Sequence, residues 1–412
     1  MLSLQEISQW QDFVNSVDAL YQGEYPQHTR KTKIIQFLML KRYPNLDTQL
    51  TACDQSLLAL YNRLNLDINA LNQKDIGHLF ELVTQFYASY ELGEHFTPSA
   101  LVELLTLNLC NAAFLANKES PLTVYDPTAG TGGLLFGFSE YSHLKVELYG
   151  QEFNTDSHML GQAEMLRHNA QPEHYISGNT LTCDGYKDAT FDLMISNPPY
   201  GVSWAADRKV VEKDSRFSGI GLPRTDDGIF LFIELLLSKM KPVSEGGSRI
   251  GIILSETPLF SGTKNSGEQK IRQYLFDNDL IESLVRLPSH LFVNTDIVSY
   301  MWTLTNVKEA KYKGQILLVD GNAIYEKNSC IKRGPKDQKQ LTQKDITEIL
   351  SIIRTNTTCE NTDRLISIPL LTSAITDSQI SFDHYFRNPE IPKDPDVLLK
   401  KINELATQIK GF

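Results

Sequence analysis

The sequence contains no apolar run approaching the roughly 18–20 residues that a membrane span needs. Its opening residues, MLSLQEISQWQDF, lack the basic start and apolar centre of a secretory signal. A cytoplasmic location without membrane contact is therefore expected. The five cysteines, Cys53, Cys110, Cys183, Cys330 and Cys359, form no C-x-x-C pair. That spacing suggests neither a thiolate zinc site nor a disulfide framework, and points to reduced thiols. No internal repeat is present. No Walker G-x-x-x-x-G-K-[ST] occurs, so the chain is no nucleotide-driven motor. Glu268-Gln269-Lys270 imitates an E-x-K nuclease fragment, but no supporting acidic strand precedes it. Basic residues are also in deficit, with 39 Lys and Arg against 50 Asp and Glu, a formal net charge of -11. A protein that grips nucleic acid unaided usually shows a basic face, because phosphate neutralisation supplies much of the affinity. The acidic balance argues against an independent binder of that kind, though not against a subunit whose partner does the gripping.

What is present is an ordinary globular composition, 41% apolar and 22% charged, over 412 residues. That length favours two or three folding units. Residues 1–90 read as a helical domain, with apolar residues at helical spacing in Ile34-Ile35-Gln36-Phe37-Leu38-Met39-Leu40 and Leu57-Leu58-Ala59-Leu60-Tyr61. A further helix opens near Asp75. From about 121 to 320 short strand-like runs alternate with helical stretches. Strands are expected over 122–126, 146–152, 191–197, 249–255, 281–287, 298–305 and 315–320, and helices over 156–169 and 228–240. Strands alternating with helices imply an α/β fold with a mostly parallel sheet covered on both faces. Crowding of the last three strands suggests an antiparallel edge. Residues 91–325 form this second domain, and 326–412 read as a helical tail for subunit contact. In the tail, the basic stretch Ile331-Lys332-Arg333-Gly334-Pro335-Lys336-Asp337-Gln338-Lys339 reads most simply as a solvated loop, with a phosphate contact as the lesser alternative. Leu398, Ile402, Leu405 and Ile409 lie on one helical seam, too short to be stable unless it packs on this chain or on a partner helix.

Asp126-Pro127-Thr128-Ala129-Gly130-Thr131-Gly132-Gly133 links an expected strand to an expected helix. Glycines there let the backbone turn sharply and let a ligand approach without Cβ clashes. Open α/β sheets bind ligands at this end of their strands. Leu135 stands where a dinucleotide fingerprint has its third glycine, while Glu152 ends the next strand, 20 residues beyond Gly132. Such an acid suits the ribose of either NAD or AdoMet, so the loop alone leaves the ligand open, and a purely structural turn with it.

A second motif, Asn197-Pro198-Pro199-Tyr200, follows the apolar run Phe191-Asp192-Leu193-Met194-Ile195-Ser196. Pro198 and Pro199 fix φ and carry no N–H, so the loop is rigid and its carbonyls face outward. This suits chemistry on a planar amine, whose lone pair is delocalised into a ring. If the Asn197 side-chain oxygen and the Pro198 carbonyl each accept one N–H, the nitrogen is drawn toward tetrahedral geometry and can attack a sulfonium methyl in line. No strong base is needed, because the methylated nitrogen becomes acidic. Tyr200 offers a face for a base taken out of its stack. By itself the tetrapeptide is also compatible with a plain Pro-Pro turn.

Together these residues resemble the class I AdoMet-dependent amino-methyltransferases, a Rossmann-like group in which N-P-P-[YF] marks methylation of planar nitrogens. DNA adenine, rRNA guanine and release-factor glutamine methyltransferases share that tetrapeptide. Gly93-Glu94-His95-Phe96-Thr97-Pro98-Ser99 looks like the F-T-P segment that, in DNA adenine methyltransferases, closes over the methionine end of S-adenosyl-L-methionine (AdoMet). Further segments resemble the modification (M) subunits of type I restriction-modification systems. They are Asp75-Ile76-Gly77-His78-Leu79-Phe80-Glu81, Gly150-Gln151-Glu152-Phe153-Asn154, Asp227-Gly228-Ile229-Phe230-Leu231-Phe232, Glu268-Gln269-Lys270-Ile271-Arg272, Leu287-Pro288-Ser289-His290-Leu291-Phe292 with Thr295, and His384-Tyr385-Phe386.

The resemblance runs over about 70–400 and implies N6-adenine methylation of double-stranded DNA. Asn197 to Tyr200 would be catalytic. Glu94, His95, Phe96, Thr97, Pro98, Ser99, Asp126, Thr128, Gly130, Thr131, Gly132, Gly133, Glu152 and Asn179 would hold AdoMet, with no metal. Recognition would come from a specificity (S) subunit, assembled with this chain and a second M subunit. Translocation would belong to a separate restriction and motor subunit. Three features depart from the family. The stretch before residue 70 is short, Asn179 stands where an Asp is usual, and Tyr200 stands where Phe is common. Asn in place of Ser at the head of the tetrapeptide favours adenine over cytosine. A protein or rRNA methyltransferase is a competing reading, against which the F-T-P segment and the long tail count. An AdoMet-binding scaffold without catalysis is another, against which the intact tetrapeptide counts.

Overall fold

In the computed structural model the described residues are 4–25, parts of 29–37, 55–63, isolated positions up to 83, 97–116, 118–292, 297–328, 339–361, 364–375 and 378–387. Helix α1 (Leu4–Tyr21) places Trp10, Phe13, Val14, Val17 and Tyr21 on one face at helical spacing, and all five are buried. They pack with Ile34, Ile35 and Phe37, with Leu57 of α2 (Gln55–Tyr61), and with Ala163 and Leu166 far along the chain. The Trp10 indole N–H donates to the Leu79 carbonyl at 3.1 Å, so the largest buried ring keeps its polar atom satisfied.

The chain divides into two compact units that cut across the expected boundaries. The first contains Met1–Glu94, Thr128–Phe136 and Glu147–Thr180. The N-terminal helices thus belong with two segments of the α/β region, because α5 (Thr155–Arg167) completes their core. Asn154 caps α5 by accepting from the N–H groups of Asp156 and Ser157. Within this unit β2 (Val146–Glu152) pairs in parallel with β3 (Tyr175–Ser177), in the register Gly150↔Tyr175 and Glu152↔Ser177.

The second unit contains His95–Pro127, Gly137–Val146 and Leu181–Phe412. Its strands are β1 (Leu122–Asp126), β4 (Leu193–Ser196), β5 (Arg249–Ser255), β6 (Ile281–Arg286), β7 (Ser299–Thr305), β8 (Gln315–Asp320), β9 (Cys359–Asn361) and β10 (Arg364–Leu371). They run in the order β1-β4-β5-β7-β6-β8-β10-β9. β1, β4 and β5 are parallel, and β7 is antiparallel to both β5 and β6. β8 returns to parallel pairing with β6, and β10 is antiparallel to β8 and β9. The expected antiparallel strand is therefore inserted inside the sheet, and a second antiparallel pair closes its edge. β5 and β7 are buried at every position, as sheets covered on both faces require.

One cover is α3 (Ser99–Leu109), which approaches β5 closely because Gly251 has no side chain. A Cβ there would lie 3.0 Å from the tips of Leu105 and Leu109. In this unit Gly137 of α4 (Gly133–Ser142) admits Val102 of α3, which a Cβ would meet at 2.5 Å. Also in this unit are α6 (Ile229–Ser238), α7 (Gly267–Asp277), α8 (Gly321–Asn328), α9 (Gln343–Thr355) and α10 (Phe382–Arg387). The segment read as a helical tail thus contributes β9 and β10 as well as α9 and α10. The seam of Leu398, Ile402, Leu405 and Ile409 and most of the basic 331–339 stretch lie outside the described residues.

Candidate active site

In the first unit the glycine turn is built from its backbone requirements. Gly130 and Gly132 take φ values of 58° and 92°, the left-handed region that only glycine adopts cheaply. The Gly132 N–H donates to the Ala129 carbonyl at 2.7 Å, and the Phe136 N–H to the Gly132 carbonyl at 2.9 Å, which starts α4. A Cβ on Gly132 would sit 1.9 Å from the Phe136 ring, whereas Cβ atoms on Gly130 and Gly133 would meet nothing within 4 Å. The turn is closed on one side and open on the other.

The acid at the end of β2 reaches this turn. The Gly130 N–H donates to Glu152 Oε2 at 2.8 Å, and the Asn154 N–H to Oε1 at 2.7 Å. A carboxylate offers about four acceptor sites, so two bonds leave capacity for a ribose diol. The Glu152 carbonyl accepts from the Gly178 N–H at 2.9 Å, bringing the half-buried Asn179 to the same strand end. Phe153, next to the acid, is 74% exposed. It belongs to the family-like segment Gly150–Asn154, in which the sequence assigns a cofactor role to Glu152 alone; an aromatic directly after a strand-ending acid is the available signal for it.

In the second unit Asp126 ends β1 and is buried. The four residues of β4 are buried, and the strand ends at Ser196, so Asn197 leaves at the carboxyl end of the parallel strands. Pro198 is buried, Pro199 exposed, and Asn197 and Tyr200 half-buried. Asn197 Nδ2 donates to Thr97 Oγ1 at 3.1 Å, and the Tyr200 hydroxyl donates to Asn197 Oδ1 at 3.1 Å. Both ends of the amide are thereby held, while Oδ1 keeps a second lone pair. Burial pushes the Tyr200 phenol far above its usual range, only partly offset by the Ser299 side chain, so it is a neutral donor at working pH. Thr97 sits just ahead of Pro98, whose carbonyl accepts the first turn of α3 from Leu101 and Val102, and Ser99 opens that helix exposed to solvent. Glu94, His95 and Phe96 lie outside the described residues.

After the tetrapeptide, the chain is anchored by Trp204. Its ring joins Leu181, Val211, Phe217, Leu231, Phe232 and Leu235 in an apolar cluster, and its indole N–H donates to the Arg224 carbonyl at 2.9 Å. Among the described residues no three His, Cys, Asp or Glu side chains are grouped to hold a metal ion. No described helix is long and apolar enough to cross a membrane.

The model of the N-6 DNA Methylase family matches residues 72–389. The chain belongs to that family. It is 26% identical to the type I restriction enzyme MjaVII methylase subunit of Methanocaldococcus jannaschii, over 73% of this chain and 51% of that protein. It is 28% identical to the MpnII methylase subunit of Mycoplasma pneumoniae, over 72% of this chain and 54% of that one. The chain thus spans about half the length of these curated relatives. Among solved structures, a type I restriction-modification methyltransferase subunit from Streptococcus thermophilus superposes with a TM-score of 0.64 at 23% identity, covering 91% of this chain and 79% of that one. A Listeria monocytogenes protein assigned to the class I AdoMet-dependent methyltransferases superposes with a TM-score of 0.54 at 16% identity, covering 85% of this chain and 99% of that one. The family member described here has the class I methyltransferase fold expected from its sequence, with a helical region added before it.

Proposed function

We propose that this chain transfers a methyl group from AdoMet to the N6 amine of adenine in double-stranded DNA, as the modification subunit of a type I restriction-modification assembly. The observation that carries the reading is the Asn197 amide, held by Thr97 and Tyr200 at the end of β4 with one acceptor lone pair left over. The glycine turn fits the cofactor, since side chains at Gly130 or Gly133 would project into the open space beside it. Glu152 would take the ribose hydroxyls, Asn179 the adenine edge, and Phe153 a face of the adenine. Thr128, Thr131 and Gly132 would complete the turn. Asp126 and the 94–99 segment would serve the methionine end.

Bound AdoMet supplies an electrophilic methyl on a sulfonium. Asn197 Oδ1 and the Pro198 carbonyl accept the two amine hydrogens and draw the lone pair out of conjugation. The Tyr200 ring stacks on the extruded base. The neutral phenol keeps the amide oriented without competing as a base. Water takes the proton after transfer.

The net charge of -11 supports a division of labour in which an S subunit and a second M subunit provide the grip on DNA, and a restriction and motor subunit provides cleavage. A soluble, cytoplasmic assembly suits this. The test is mass analysis of nucleosides from the DNA of cells with and without the gene, repeated with Asn197→Ala. N6-methyladenine that depends on the intact gene is expected. Modified cytosine, or unchanged DNA with methylated rRNA or protein, would overturn the reading.

A further inference from the structure

Tyr175 opens β3 and is 1% exposed. Its ring lies in a slot made by two glycines. A Cβ on Gly150 of β2 would come within 2.6 Å of the ring, and one on Gly161 of α5 within 2.2 Å. The Tyr175 backbone is fixed as well, because its carbonyl accepts from His158 Nε2 at 2.7 Å and from Gln162 Nε2 at 3.3 Å. A carbonyl can only accept, so His158 carries its proton on Nε2. Held in this way, the phenol donates to the Gly130 carbonyl at 2.9 Å. Gly130 is therefore gripped from both sides, its N–H by Glu152 and its carbonyl by Tyr175. It has no Cβ to restrict it, and its φ of 58° is one of many that glycine can take.

We propose that Tyr175 is a positioning residue for the cofactor turn: its hydroxyl sets the Gly130 conformation before any ligand arrives, and so keeps Glu152 aimed at the ribose. This rests on AdoMet being the ligand of the turn. The ring fills the slot between Gly150 and Gly161, and the hydroxyl is the atom that reaches the turn. Preorganisation of this sort acts on binding, since a loop ordered in advance loses less freedom when the ligand docks.

The experiment compares the full chain with Tyr175→Phe. Hydrogen exchange of the ligand-free proteins should show faster exchange across residues 128–133 in the variant, with the melting temperature nearly unchanged. Calorimetry with AdoMet should show binding weaker by about five-fold, the change expected for one lost hydrogen bond. KM for AdoMet should rise while kcat at saturating AdoMet stays the same. Incorporating 3-fluorotyrosine at 175, which keeps the donor, should restore wild-type exchange and binding. A Tyr175→Phe protein that binds and exchanges like wild type overturns the proposal. So does one that fails to fold, because the hydroxyl would then serve stability in general. If the unmodified chain binds no AdoMet, the cofactor reading itself fails, whereas normal wild-type binding with an indifferent variant refutes only the role of Tyr175.

Discussion

The Tyr200 hydroxyl donates to the side-chain oxygen of Asn197, three residues before it, at 3.1 Å. The residue that offers a stacking face thus also holds the residue that polarises the amine, and the two duties can be separated by mutation. Tyr200→Phe keeps the ring and loses one hydrogen bond of about 1 kcal/mol, so single-turnover methyl transfer should slow by about five-fold with DNA binding unchanged. Tyr200→Ala should be slower still, because base stacking is lost too. Equal rates for the Tyr and Phe proteins would show that Thr97 alone orients the amide.

Asn197→Ala removes the acceptor itself. Transfer should fall by roughly 100- to 1,000-fold, since losing one preorganised polar contact costs about 3–4 kcal/mol. AdoMet affinity measured by calorimetry should be retained.

The two faces of the glycine turn predict different failures. Gly132→Ala forces a side chain into the left-handed region and into the Phe136 ring, so it should lower both the melting temperature and AdoMet binding. Gly133→Asp points into open space, so it should fold normally and lose AdoMet binding through bulk and charge. Thermal denaturation and calorimetry on both proteins separate the cases.

Arg286 should reveal the worth of a buried ion pair. It pairs with Asp320, which is fully buried, and with Asp383, whose side chain is 55% exposed. Arg286→Ala removes this ion pair from the buried Asp320 and should destabilise by about 3–5 kcal/mol in denaturant titration. Asp383→Asn should cost less than about 1 kcal/mol, as expected of an exposed partner.

Glu234 on α6 gives a pH dependence. Burial pushes its carboxyl up to about 9, outweighing the backbone of Gly221 that favours the charged form. The folded state then holds a proton that the unfolded chain releases near pH 4.5. Its stabilising contribution is complete below that pH, declines as pH rises, and is gone above about 9. Melting temperature should fall between pH 5 and 9 more steeply for wild type than for Glu234→Gln, which carries no such proton. Parallel curves would mean that Glu234 is charged in the folded protein.

The sequence made the glycine turn, Glu152 and the tetrapeptide legible because each is a local pattern at a strand end. It did not reveal β3, since Tyr175–Ser177 is too short for alternation to register. β10 was hidden by Pro369, which reads as a strand breaker. Pro369 pairs with Leu317 of β8, but β9 pairs only with residues 364–367, so no neighbour on the other side needs the missing N–H. The sequence presents Thr97 only as part of a cofactor segment, because its bond to Asn197 joins residues 100 positions apart. The Tyr175 slot is equally non-local. Gly150 and Gly161 look like ordinary glycines until the ring they admit is placed between them.

The core that α1 shares with Ala163 and Leu166 has a consequence for biosynthesis. About 140 residues separate the end of that helix from its α5 partners. Ile34, Ile35, Phe37 and Leu57 are made soon after Trp10, Phe13, Val14 and Val17, but at ribosomal speeds of about 5–20 residues per second this core waits roughly 7–30 s for Ala163 and Leu166 to complete it. During that interval the nascent chain presents the part of this core that α5 will cover, a natural binding site for a ribosome-associated chaperone. A fragment ending at residue 94 would lack Ala163 and Leu166 permanently, so it should aggregate more readily than the full chain.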